Sequence, residues 1–271
     1  MKKTKFCLLL FLLLPSASSI AQEITEDNYL KVDSAIWKEY EAQMGTIQTF
    51  YHEHPEKKDS LVMVSDEISK IADNKNMDAA VKYASTPSGL ERLFMVRLSF
   101  SKDSLSSILS SLSPQMQESP YGKSIKEHIQ NKQIEIGDAP YDFKATRPDG
   151  SSFVLSSLKG KQILFLYGGL SCMGQEGRDK LDTLYRQTSR EMFDIVMYLP
   201  CSSLAMLKEA REEFPSDYIF VSDFLQDRSP VKIIYGTQTT PTSFVIDTNN
   251  IVIFKSKGLN IKKISGIIKN E

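Results

Sequence analysis

The stretch Lys161-Gln162-Ile163-Leu164-Phe165-Leu166-Tyr167-Gly168-Gly169-Leu170-Ser171-Cys172-Met173-Gly174-Gln175 decides the fold of the C-terminal half. The apolar run 163–167 is too short for a helix and suits a strand buried on both faces. Two glycines loosen the chain after it, and a helical pattern follows over 173–190. The segment therefore predicts a strand, a turn and a helix, with Cys172 at the junction. A helix start presents unpaired N–H groups and the positive end of the helix dipole. That environment favours thiolate over thiol and makes the sulfur nucleophilic. Ser171 is placed to cap the helix. On position alone, a small residue filling a turn is the alternative reading of Cys172.

Toward the C-terminus, strands and helices alternate. Strands are expected at 194–199 and 218–221, and helices at 202–214 and 261–269. Strands 242–247 and 251–255 are joined by a turn at Thr248-Asn249-Asn250. This order argues for an α/β fold with a mixed sheet. Thr239-Thr240-Pro241-Thr242 leads into one of these strands. Proline is disfavoured in a central strand unless its bond is special. A cis Thr240–Pro241 bond makes a sharp corner and leaves the Thr240 backbone free to pair with an extended peptide. An ordinary trans proline opening an edge strand is the alternative.

Toward the N-terminus the pattern is helical from 22 to about 133. Ile36, Tyr40, Met44, Ile47 and Tyr51 recur at helical spacing, as do Leu105, Ile108, Leu109 and Leu112. Breaks fall at His54-Pro55, Thr86-Pro87 and Ser119-Pro120, so five or six helices packed as antiparallel hairpins are expected. The first residues read as an export signal. Lys2, Lys3 and Lys5 precede an apolar run from Phe6 to Pro15, and small residues end at Ala21. Cleavage there removes Cys7 and leaves Cys172 and Cys201 in an oxidising compartment, with no membrane span. The expected location is beyond the inner membrane, in the periplasm.

The 271 residues carry a net charge of −1 and no long basic block, which argues against a nucleic-acid partner. His52 and His54 lie two apart and point in different directions on a helix. His128 reads as solvated on a charged helix, and Trp37 as part of an apolar helix face. No cofactor or metal site is expected.

Ordered marks along residues 137–258 carry a resemblance. They are Gly137-Asp138-Ala139-Pro140-Tyr141-Asp142-Phe143, Asp149-Gly150, and Leu155-Ser156-Ser157-Leu158-Lys159-Gly160-Lys161. After the strand and the cysteine turn come Tyr235-Gly236, Thr240-Pro241-Thr242-Ser243-Phe244-Val245-Ile246-Asp247 and Gly258. This half resembles the TlpA/ResA branch of thioredoxin-like proteins, extracytoplasmic thiol–disulfide oxidoreductases. The resemblance implies a thioredoxin-like mixed sheet flanked by helices over 136–271, which follows the all-helical region, 22–135, and the signal peptide, 1–21, read above. It implies protein or peptide thiols and disulfides as substrates, with an external reductant. It also implies that strand 194–199 runs parallel beside 163–167, so that Cys172 and Cys201 emerge at one sheet edge.

The departures are as informative. The family's Cys-x-x-Cys reads Cys172-Met173-Gly174-Gln175 here, so Gln175 stands where the resolving cysteine would be. Ser171, Leu166 and Arg178 replace the residues usual at their positions. A one-residue slip, which Leu181 fits better, would put Ser171 on the nucleophile position. The dithiol cycle needs a second thiol to resolve the mixed disulfide, and three readings remain. Cys172 pairs with Cys201 as its resolving partner. Cys172 acts alone with an outside thiol. Or the domain binds peptide without turnover, through Thr240, Pro241 and Gln175.

Overall fold

The computed structural model describes residues 23–269. The segment expected as a signal peptide, 1–21, lies outside them. Helices fill the first half: α1 (Glu26–Glu53), α2 (Lys58–Lys82), α3 (Pro87–Met95), α4 (Lys102–Ser111), α5 (Pro114–Gln117) and α6 (Pro120–Gln130). Their starts have local causes. Thr86, Ser113 and Ser119 each precede a proline at the first helical position. Each hydroxyl oxygen accepts the backbone N–H three residues on. The cap satisfies a donor that the helix start leaves unpaired, and proline has no N–H to lose there.

Leu90, Leu93, Phe94, Leu105, Leu109 and Ile125 close a core between α3, α4 and α6. The base of the α1–α2 hairpin packs a second core of Tyr29, Ile36, Ala79 and Tyr83. Two sequence expectations are corrected here. His128 is 2 % exposed rather than solvated, because α6 packs against α3, α4 and the segment 230–234. Trp37 is only half-buried; its indole donates to Asp33, and Arg92 lies over its ring.

The second half begins with a two-stranded ribbon, β1 (Lys144–Thr146) and β2 (Ser152–Val154). The sheet proper contains β3 (Gln162–Tyr167), β4 (Phe193–Tyr198), β5 (Ile219–Val221), β6 (Thr242–Ile246) and β7 (Val252–Lys257), in the order β5-β4-β3-β6-β7. Strands β3, β4 and β5 are parallel, while β6 runs antiparallel to β3 and β7 antiparallel to β6. Helices α7 (Gly174–Arg186), α8 (Leu204–Glu213), α9 (Pro230–Ile234) and α10 (Ile261–Lys269) cover it. This is a thioredoxin-like mixed sheet, preceded by an all-helical region.

The strand residues alternate between two cores, as a two-residue repeat dictates. Ile163, Phe165, Tyr167, Val196, Tyr198 and Phe244 face one core with Val231 and Tyr235. Leu164, Leu166, Ile195, Met197 and Val245 face the other with Leu181, Leu184, Leu207 and Ile264. Because both faces are covered, every residue of β3, β4 and β6 is buried.

The helical region docks through α9, whose Ile233 belongs to the helical core. Arg97 sits at this junction, fully buried. Its guanidinium donates to the carbonyls of Phe94 at 3.1 Å and Lys232 at 3.3 Å and lies over the Phe94 ring. Burial pulls its pKa down to about 10.

Candidate active site

The antiparallel pairing of β3 with β6 builds the site. Tyr167, the last residue of β3, lies opposite Thr242, the first of β6. The turn after β3 therefore meets the segment that enters β6, and these are the two stretches that hold Cys172 and Thr240-Pro241. The approach is close enough to require glycine. A Cβ on Gly169, at φ +93°, would lie 2.5 Å from the backbone nitrogen of Pro241. A Cβ on Gly168 would meet the Thr240 side chain at 2.8 Å. The glycine pair is thus a packing requirement of the site as well as a hinge in the chain.

From Gly169 the chain makes one closed turn, with the Met173 N–H donating to the Gly169 carbonyl at 3.0 Å. Gly174, at φ +64°, then opens α7. Two expectations shift accordingly. The helix covers 174–186 rather than 173–190, and its start carries no side-chain cap from Ser171. Cys172 lies in the turn ahead of the helix, exposed, with its Sγ 3.9 Å from the Thr240 hydroxyl. Of the two sequence registers, the one based on Cys172 is thus the one that puts sulfur against Thr240. Leu181 is fully buried in the core beneath α7.

Across the cleft, the Thr240–Pro241 peptide is cis. Pro241 is buried, and its carbonyl accepts the Gly258 N–H at 2.7 Å. The Thr242 hydroxyl donates to the Thr239 carbonyl at 2.6 Å. These bonds fix the corner and leave Thr240 outermost. Its N–H and C=O, like those of Gln238, have no hydrogen-bond partner among the described residues. Gln238 is held from the helical region: its side-chain amide donates to the Met95 carbonyl at 2.8 Å. Nothing in the sequence pairs residues 95 and 238, and this link was not expected.

Gln175 is occupied within α7. Its amide nitrogen donates to Asp179 at 2.7 Å, and its oxygen accepts from Arg178 at 2.8 Å. Arg178 also donates to the Leu170 carbonyl at 3.0 Å and lies over the Phe214 ring, tying the helix to the turn that carries Cys172. Gln175 and Arg178 border a cleft of about 240 Å³ closed by Phe214 and Tyr218.

Cys201 follows β4, which does run parallel to β3, with Tyr198 opposite Tyr167. Its thiol is buried and donates weakly to the Ser203 carbonyl at 3.6 Å. Both thiols are free here, Cys172 exposed and Cys201 buried. Among the described residues, no three His, Cys, Asp or Glu side chains group as metal ligands would, and no helix is long and apolar enough to cross a membrane.

No protein-family model matches the chain, and no curated protein does. Solved structures do, over its C-terminal half. The thioredoxin domain of a thiol-disulfide oxidoreductase from Bacteroides vulgatus is 19% identical, with 51% of this chain and 98% of that one covered and a TM-score of 0.44. A thiol-disulfide oxidoreductase from Bacteroides fragilis is 15% identical over 49% of this chain and 98% of its own, with a TM-score of 0.44. An exposed lipoprotein thioredoxin from Streptococcus pneumoniae is 17% identical over 48% and 99%, with a TM-score of 0.41.

Proposed function

We propose that this protein is an exported thiol–disulfide exchange protein that works through one nucleophilic sulfur, Cys172. The observation that carries the reading is the placement of an exposed Cys172 Sγ 3.9 Å from Thr240, beside a backbone free to pair with an extended chain. A polypeptide laid along Thr240 by strand addition would bring its own disulfide to Cys172. The Cys172 thiolate attacks one substrate sulfur. A bond forms between Cys172 and that sulfur, the substrate disulfide breaks, and the departing sulfur leaves as a thiolate that takes up a proton. With Gln175 at the resolving position, an external thiol attacks the mixed disulfide and frees the substrate in reduced form. The Lys2–Ala21 pattern supports action outside the cytoplasm, where disulfides persist.

A second reading has its own support. Gln175 is engaged with Asp179 and Arg178, and Cys201 is buried. Without a second accessible thiol, the domain would hold peptide without turning over.

The test is a thiol titration. In native protein lacking residues 1–21, one thiol, Cys172, should react rapidly with an alkylating reagent, and Cys201 only after unfolding. Cys172→Ser should abolish mixed-disulfide capture of disulfide-containing peptides. Mass spectrometry of unreduced protein that finds Cys172 joined to Cys201 would instead restore the paired reading. Peptide capture that survives Cys172→Ser would favour binding alone.

A further inference from the structure

A cleft of about 470 Å³ opens beside the candidate site, between α2 and the corner after α3. Asp66, Asp73 and Met77 line it from α2, Met95 and Val96 from the end of α3, and Gln238, two residues before Thr240, completes the lining. Its volume is that of a pocket that receives side chains rather than a crevice between them. The cleft adjoins the unpaired backbone groups of Gln238 and Thr240, since Gln238 also lines it. A strand paired at Thr240 and running past Gln238 therefore enters it within about two residues, at about 3.3 Å per residue.

The lining combines two chemistries. Met77, Met95 and Val96 are half-buried and apolar, and methionine adapts to irregular partners. Asp66 and Asp73 are exposed and stand seven residues apart on α2, about 10 Å along one side of the helix. Lys70 lies between them. None of the three forms an ion pair among the described residues. The wall thus keeps a net negative charge over a methionine floor. A lysine or arginine fits this pairing, with its methylene stem on the floor and its charged head at the carboxylates.

We infer that this cleft is the docking wall for an extended polypeptide substrate that carries a lysine or arginine about two to five residues from its reacting cysteine. The inference rests on the proposed role of Cys172 and gives the helical region a purpose, because that region supplies α2 and the α3 corner, and so the side-chain preference of the site.

The test uses the full chain without residues 1–21 and a set of peptides. Each peptide has one cysteine, activated as a mixed disulfide with a coloured aromatic thiol. The Cys172 thiolate attacks the peptide sulfur, the peptide–Cys172 disulfide forms, and the aromatic thiolate leaves and is counted by its colour. Lysine, alanine or glutamate is scanned through the flanking positions. Lysine should outpace glutamate on one side of the cysteine only, by up to about five-fold per ion pair, and added salt should shrink the gap. The lysine-to-glutamate ratio should fall to one or below in Asp66→Asn/Asp73→Asn, where Lys70 alone keeps its charge, and invert further in Asp66→Lys/Asp73→Lys. Both positions are exposed, and circular dichroism checks that the variants fold.

A ratio that is the same in wild type and both variants overturns the docking wall while leaving the Cys172 chemistry intact. Failure of every peptide to release colour overturns the proposed exchange chemistry instead. In that event the wall is tested by fluorescence anisotropy, with Cys172→Ala protein and peptides carrying serine for cysteine. Equal affinity for lysine and glutamate peptides then refutes it.

Discussion

Replacing Gly169 with alanine tests whether the site depends on how closely the Cys172 turn approaches Pro241. Two costs add at this position. An L-residue at φ +93° loses roughly 1–2 kcal/mol through its left-handed backbone. The new methyl would also lie 2.5 Å from Pro241 N, Cβ and Cδ, with backbone rather than a flexible side-chain end in the way. Overpacking of this kind adds about 1–3 kcal/mol, for a total of roughly 2–5 kcal/mol. Gly137 separates the two terms, because it has nearly the same φ, +96°, and nothing within 4 Å of its added Cβ. Gly137→Ala should show the backbone cost alone. Urea unfolding at constant m-value measures both variants. Gly169→Ala should lie below Gly137→Ala by the overpacking term. If the chain relieves the clash by moving Thr240-Pro241 away, capture of peptide disulfides should fall more than alkylation by a small reagent. Equal losses of stability in the two variants, with peptide capture unchanged, would refute the idea that this contact builds the site.

Two further predictions concern the junction between the halves. His128 is buried, and desolvation, helped by Arg97 and Lys102, lowers its pKa from 6.5 to about 4. The folded state therefore keeps it neutral while the unfolded chain protonates it below 6.5. Its contribution to stability is complete above pH 6.5 and is lost as pH falls toward 4, up to roughly 3 kcal/mol. His128→Gln should flatten this part of the stability–pH curve, and an unchanged slope would show that another group titrates. Arg97→Lys removes the fork that reaches two carbonyls and stacks on Phe94, and should cost about 2–4 kcal/mol. A variant as stable as wild type would show that these bonds do not hold the junction.

Much of the fold was legible because it rests on local chemistry. The 163–167 run reads as a two-face buried strand, and Ser119-Pro120 as a helix start, from residue types alone. Both are present. Cys172 and Thr240 were legible as candidates from the segments that flank them, a strand-to-helix turn and a proline at a strand entrance. Expected over 173–190, α7 spans Gly174–Arg186; its first residue, Gly174, adopts a left-handed conformation, and periodicity does not report φ. His128 was misread because charged neighbours on its own helix suggest solvent, while α6 is covered by α3, α4 and also α9, which lies about 100 residues later in the chain.

The sequence by itself determined most element types and offered Cys172, Gln175 and Thr240 as candidate site residues, since each follows from residue identity and short-range spacing. Only the tertiary structure decided that Cys172 faces Thr240, that Gly169 leaves room for Pro241, that Cys201 is buried, and that Gln238 is held by Met95. Those facts depend on which strands pair and which helix packs where, and pairing is settled by the burial of whole faces at once rather than by any neighbouring residue.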